Sequence, residues 1–232
     1  MDILKEINDQ IKRIKQDDNS NYLDLIYNHL DRAEYYYKQG AKDQQFFNDV
    51  IYRANQAYEG ALKEAYKILA GKTDNELQKT SPHLIEKHFK ENQIFKDRVL
   101  QLFENYRQEW RNKSTHDYKL IFDENEAFIA LTNVSSFVHL LLKQIEETIA
   151  FHNERKKMLE AKERLIEIKV MLSNKKESLA QKIFHLIRQF AENGDSVPYE
   201  TGITLKTLNS SQLMGMLHGF FAAAAPELTI HV

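Results

Sequence analysis

The side chains best suited to act on a phosphodiester lie together between residues 107 and 118. The segment reads Arg-Gln-Glu-Trp-Arg-Asn-Lys-Ser-Thr-His-Asp-Tyr, so Arg111 precedes His116 by five positions. Histidine titrates near neutral pH and can give or take a proton. The guanidinium of arginine presents a planar fork of donors that matches phosphate oxygens. Arg111 and His116 are therefore the candidate catalytic pair.

RNA is the phosphodiester that this pair fits, because each phosphate has its own nucleophile in the adjacent 2′-hydroxyl. Cleavage then needs a base for the hydroxyl proton, an acid for the leaving 5′-oxygen and a cation for the phosphorane. Histidine and arginine supply these without a metal or cofactor. His83 and His88 do not form an HExxH pattern and no acidic ligands converge on them, so we expect no metal site.

The spacing of the pair requires a break in regular structure. Two residues five apart lie about 140° apart on an unbroken α-helix, too far to share one face. A helix ending near Arg111, or a second copy across a dimer axis, would bring the groups together. Residues 112–122 lose the apolar period, and Asp123 with Glu126 forms a capping-box pattern for the next helix. We therefore expect an irregular segment at 112–122.

Charge also points to this segment as the place where RNA would bind. The whole chain has a formal net charge of -2, so it has no overall basic field to hold a polyanion. Residues 105–120 contain four cations against two carboxylates. Lys113 and Arg107 are candidate RNA contacts in this local patch, which a homodimer would double.

Apolar residues at helical spacing predict that the protein is all-α. The low content of turn-forming residues, 7 Gly and 3 Pro, supports the same prediction. The predicted helices cover residues 3–14, 21–39, 47–69, 82–110 and 123–149. The last four are long and amphipathic enough for an up-down bundle.

Two domains are expected, a helical bundle over residues 1–155 and a small C-terminal domain or dimerising tail over 156–232. The second part is predicted to be α or α+β. Its expected elements are two helices (179–190 and 211–225), a turn (193–195) and two short extended pieces (202–205 and 228–232). Gly215 and Gly219 are four residues apart, which permits close packing of one helix on another.

The motif resembles the signature of the HEPN superfamily, written R-x4–6-H, over roughly residues 20–155. It stands between the third and fourth long helices, as in that family, and Asn112 also fits the pattern. The resemblance implies a HEPN-like up-down bundle that forms a homodimer with a composite, metal-independent endoribonuclease site. It implies a toxin or an antiviral-defence effector. By the same resemblance Asn112 supports the catalytic pair, and Glu59 on the second bundle helix faces the site.

The extended motif R-x4-H-x-Y ends at Tyr118 and resembles HEPN toxins that pair with a minimal nucleotidyltransferase antitoxin. Such a partner can attach a nucleotide to the tyrosine, so Tyr118 is a candidate for modification or RNA contact. No apolar run reaches the roughly 18 residues of a membrane span, and the N-terminus lacks a signal-peptide core. A cytoplasmic protein without a membrane partner is expected.

Two other functions fit the same residues. The chain could be a non-catalytic HEPN module that binds RNA or nucleotide, or a helical scaffold in which the motif is incidental. In the second case Arg111 and His116 would be ordinary solvated charges, and Tyr118 would serve packing. RNA retained without cleavage would favour the first alternative, and a stable protein partner without RNA binding the second.

Overall fold

The computed structural model describes residues 2–17, 22–113, 120–196 and 208–228. These residues form ten α-helices and no strand, which confirms the all-α class. The helices are α1 (Ile3–Asp17), α2 (Leu23–Gly40), α3 (Phe46–Leu69), α4 (Asp74–Gln78), α5 (Pro82–Glu91), α6 (Asp97–Tyr106), α7 (Glu124–Glu160), α8 (Lys162–Leu172), α9 (Leu179–Ser196) and α10 (Ser210–Ala224). A π-helix, Arg107–Asn112, follows α6 directly, and a 3-10 turn, Pro226–Leu228, follows α10.

The chain divides into two compact units, Met1–Ile145 and Glu146–Val232. The division falls inside α7. The boundary expected from the sequence, between residues 155 and 156, lies further along the same helix. Each unit has its own buried apolar cluster.

The core of the first unit is centred on four aromatic rings from α3, α6 and α7. They are Tyr58, Phe103, Tyr106 and Phe137. The Phe103 and Phe137 ring centroids are 4.3 Å apart, and those of Tyr58 and Tyr106 are 5.0 Å apart. Aromatic pairs at such distances contribute beyond the area they bury. This cluster holds α6, and with it the start of the π-helix, against α3.

The single helix predicted over 82–110 is wrong, because α5 ends at Glu91 and α6 begins at Asp97. Gln93 adopts a positive φ of 53°, and the Asn92 side-chain amide donates to the His88 carbonyl at 2.9 Å. These features end α5. Both helices face the same core, so the apolar period continues across the break and conceals it.

The start of α7 confirms the predicted capping box. The Asp123 N–H donates to the Glu126 carboxylate at 3.0 Å, and the Glu126 N–H donates to Asp123 Oδ1 at 2.9 Å. By length and composition α7 could cross a membrane, but half of its most apolar window is buried inside the protein. The core helix of a soluble protein passes the same test.

The second unit packs α8, α9 and α10 with the C-terminal part of α7. In its buried cluster the ring centroids of Phe190 on α9 and Phe220 on α10 are 5.6 Å apart. A Cβ atom on Gly215 would lie 2.1 Å from the Glu147 carbonyl oxygen, and one on Gly219 would lie 2.3 Å from that of Phe151. The close packing predicted for the two glycines is thus present, between α10 and α7.

Three local predictions for the second unit fared differently. The turn at 193–195 is wrong, because α9 continues to Ser196. The extended piece predicted to begin at residue 228 instead starts in the 3-10 turn. The remaining extended residues, 202–205 and 229–232, lie outside the described part of the chain.

Candidate active site

The candidate site is built on the π-helix, Arg107–Asn112. In a π-helix the backbone hydrogen bonds join residues five apart, whereas an α-helix joins residues four apart. Residues beyond the change of register therefore face a different direction from the one that the α period would give. Single-turn π segments are rare and occur frequently at functional sites. The irregular segment was predicted over 112–122; the helix continues to Lys113, residues 114–119 lie outside the described part of the chain, and residues 120–123 have no regular secondary structure.

Arg111 projects from the π-helix towards α3. Its Nε donates to Glu59 Oε1 at 2.6 Å, and its Nη1 donates to Asn112 Oδ1 at 3.1 Å. The Arg111 and Glu59 side chains are 26% and 27% exposed, so the pair stays open to solvent. The structure therefore brings together three of the predicted site residues. His116 and Tyr118 lie outside the described residues.

The first residue of the π-helix, Arg107, is anchored in the protein interior. Its Nε donates to Glu86 Oε2 at 2.8 Å, and the side chains are only 13% and 1% exposed. The Tyr58 hydroxyl donates to the other oxygen of the same carboxylate. Arg107, predicted as an RNA contact, thus has an internal partner, and its role in RNA binding stays a prediction.

Tyr106, the last residue of α6, holds the other side of the change in register. Its hydroxyl donates to Asn55 Oδ1 at 2.7 Å, and its ring stacks on Trp110 at 5.8 Å. Burial raises the pKa of Tyr106, and the negative charge of Glu59 adds to the shift. Burial also raises the pKa of Tyr58. Both hydroxyls are therefore neutral donors at physiological pH.

The local charge differs from the sequence count. Lys113 pairs with Glu109 on the exposed side, while Arg111 and Arg107 pair with Glu59 and Glu86. Glu59 and Glu86 come from other helices, so a count along residues 105–120 misses both. The described part of the segment consequently presents less positive charge than predicted.

Sequence reasoning missed the buried contacts of Glu86, Asn55 and Tyr106. The sequence contains an indication of these contacts, because Glu86 and Asn55 both occupy positions on the apolar faces of their helices. Glu86 lies between Ile85 and Phe89, and both of these are fully buried. A polar residue at such a position needs a partner in the core, since an unpaired buried polar group costs free energy.

No family model, curated protein or solved structure matches this chain. The likeness to HEPN proteins therefore rests on Arg111, Asn112, His116 and Tyr118 and on their place between two long helices. Among the described residues, no three histidine or acidic side chains are grouped so that they could hold a metal ion.

Proposed function

We propose that this protein is a metal-independent endoribonuclease of HEPN type that acts as a toxin or antiviral-defence effector. The observation that carries the proposal is the Arg111 guanidinium, held by Glu59 and Asn112 on a π-helix five residues before His116. A fixed carboxylate and amide orient the donor fork, so that little order is lost when a phosphate binds.

The proposed reaction uses the 2′-hydroxyl of the RNA as nucleophile. The bond from O2′ to phosphorus forms while the bond from phosphorus to O5′ breaks, which leaves a cyclic phosphate and a 5′-hydroxyl. His116 takes the proton from O2′ or supplies one to O5′, and the partner's copy of this histidine takes the other role in a homodimer. Arg111 stabilises the charge on the phosphorane oxygens.

The deciding experiment compares wild type with His116→Ala on total RNA and tRNA in the presence of EDTA. We expect cleavage by the wild type and a loss of at least about 100-fold in the variant, the contribution usual for a general acid or base. His185→Ala, which changes a histidine of the second unit, is the control and should cleave normally. Equal cleavage by wild type and His116→Ala would exclude the proposed role of His116.

A silenced toxin requires a partner, for which we propose a nucleotidyltransferase antitoxin that modifies Tyr118. Co-expression with such an enzyme should add the mass of one or more nucleotides to the chain and stop cleavage. Tyr118→Phe should stay unmodified and active.

We also infer that the protein works in the cytoplasm, and cell fractionation tests this inference.

The pairing of Arg107, Arg111 and Lys113 with carboxylates favours one other function, a non-catalytic module or scaffold. A binding module would retain RNA without cutting it, and salt would weaken the complex. A scaffold would capture a protein partner and show no RNA binding at low salt.

A further inference from the structure

We propose that a groove between α2 and α3 receives one nucleobase of the RNA, next to the phosphate held by Arg111. This inference rests on the proposed ribonuclease function and names a subsite for its substrate. The groove has a volume of about 260 Å³. It lies entirely within the first unit.

The groove shares a residue with the candidate active site. Glu59 accepts the hydrogen bond from Arg111 and also lines the groove. A group in the groove is thus separated from the arginine by one side chain. A base adjoining a phosphate bound at Arg111 could reach this position, since base and phosphate are linked within one nucleotide.

The size of the groove suits part of a ligand. Pockets that take whole drug-sized ligands or cofactors have volumes of about 300–1,000 Å³. A groove below that range fits one flat ring system better than a complete dinucleotide or cofactor. At Gly60 the two helices approach closely, because a Cβ at this position would lie 3.2 Å from the Ile26 side chain.

The side chains lining the groove fit a base by stacking and by hydrogen bonding. Tyr22 is 59% exposed and offers an aromatic face. Gln56 and His29 line the same groove. The Gln56 amide combines donors with an acceptor for the edge of a base, whereas His29 Nδ1 accepts from Arg53 Nη1 at 3.4 Å, so this ring offers its Nε2–H as a donor. Burial and the nearby Arg53 lower the pKa of His29, which favours the neutral ring with one donor and one acceptor. Lys63 lines the groove together with the carboxylates of Glu59 and Glu64, so the lining has no net positive charge and the fit depends on stacking and hydrogen bonding.

The test measures binding of labelled ten-nucleotide RNAs by fluorescence anisotropy, with His116→Ala as the parent so that RNA stays intact. One RNA series lacks a single base at each position in turn. We expect one missing base to weaken binding about tenfold, the effect of losing one stacked base. Tyr22→Ala should weaken binding of the intact RNA by a similar factor and bind the matching abasic RNA no more weakly.

Tyr52→Ala is the matched control, because Tyr52 on α3 is similarly exposed, at 57%, and does not line the groove. It should bind every RNA as the parent does. Equal binding by Tyr22→Ala and Tyr52→Ala overturns the subsite. Gln56→Ala gives a second reading, since it should change which base is preferred at that position while leaving the fold intact.

Two further arms separate the competing outcomes. Binding of nucleoside monophosphates that depends on Tyr22, with no effect of any missing base, would assign the groove to free nucleotides and overturn the RNA subsite. Wild-type cleavage in EDTA is measured on the same RNAs. If one missing base weakens binding but the wild type does not cleave, the groove is supported and the ribonuclease is excluded. If the wild type cleaves but no missing base weakens binding, the ribonuclease is supported and the groove is overturned.

Discussion

At the scale of single residues, the two arginines of the π-helix make ion pairs of different kinds. Arg107 with Glu86 is almost fully buried, whereas Arg111 with Glu59 is about one quarter exposed. Removing one partner from a buried pair leaves an uncompensated charge, but solvent screens an exposed pair. Breaking the first pair is therefore expected to destabilise the fold, whereas changing the second is expected to cost little stability.

Isosteric changes of the two carboxylates test this division. Glu86→Gln should lower the free energy of unfolding by about 3 kcal/mol, because Arg107 loses its buried counter-charge. Glu59→Gln should cost less than about 1 kcal/mol, yet reduce RNA cleavage, because Arg111 loses its orienting partner. Urea unfolding and single-turnover cleavage measure the two effects. Similar losses of stability in both variants would contradict the division.

The buried tyrosines predict how stability depends on alkaline pH. Their pKa values are raised in the folded state, so the unfolded chain loses these protons first, from about pH 10. Their contribution to stability is complete below that pH and is lost as the pH rises above it, at up to about 1.4 kcal/mol per pH unit for each group. Tyr106→Phe should reduce this slope, as measured by urea unfolding between pH 9 and 11. A slope equal to that of wild type would show that Tyr106 does not contribute.

The sequence predicted the residues that contact Arg111, but it did not predict the buried residues that contact Arg107 and Tyr106. Arg111 and Asn112 belong to a motif, and Glu59 followed from the resemblance, so all three could be named in advance. The carboxylate that holds Arg107 lies 21 positions away on α5, and no local pattern joins the two. Such tertiary pairs depend on how helices pack, which the periodicity of one helix does not specify.

At the scale of elements, the π-helix determines which way Arg111 points. Its sequence, RQEWRN, contains no glycine or proline that would mark it. The sequence of α6 and of the π-helix therefore does not predict where the hydrogen-bond register changes. Buried contacts of Tyr106 and Arg107 hold the backbone on both sides of the change, which tertiary structure alone provides.

Inserting one alanine after Gln108, an exposed residue of the π-helix, should move every later residue of the helix by one position. Arg111 would then turn by about 100° away from Glu59, the rotation per residue of an α-helix. We expect the helical circular dichroism spectrum to persist while RNA cleavage falls as far as in Arg111→Ala. Gln108→Ala, which keeps the register, is the control and should retain activity.

The contact between α10 and α7 depends on glycine. Gly215→Ala should destabilise the second unit by about 1–3 kcal/mol, because the new methyl group overlaps the Glu147 carbonyl oxygen. Met214→Ala, on the exposed side of the same helix, should have a much smaller effect. Thermal unfolding of both variants measures the difference, and an equal Tm would show that the helices can separate at no cost.

At the scale of the whole molecule, the proposed composite site requires two chains. Light scattering at micromolar concentration should give about twice the monomer mass of 27.3 kDa. Arg111→Ala should keep the same mass, since it alters a partly exposed side chain. A mass near that of one chain would count against a site formed by two motifs, while leaving a site within one chain to be tested by cleavage.

The position of the unit boundary inside α7 has a consequence for the modularity of the gene. Proteins usually exchange parts at loops, where a joint disturbs little packing. Here one helix contributes buried residues both to the first unit, such as Phe137, and to the second, such as Met158. A break at the boundary between the two units would cut α7 and not a loop. The two units are therefore expected to be inherited together when genes recombine.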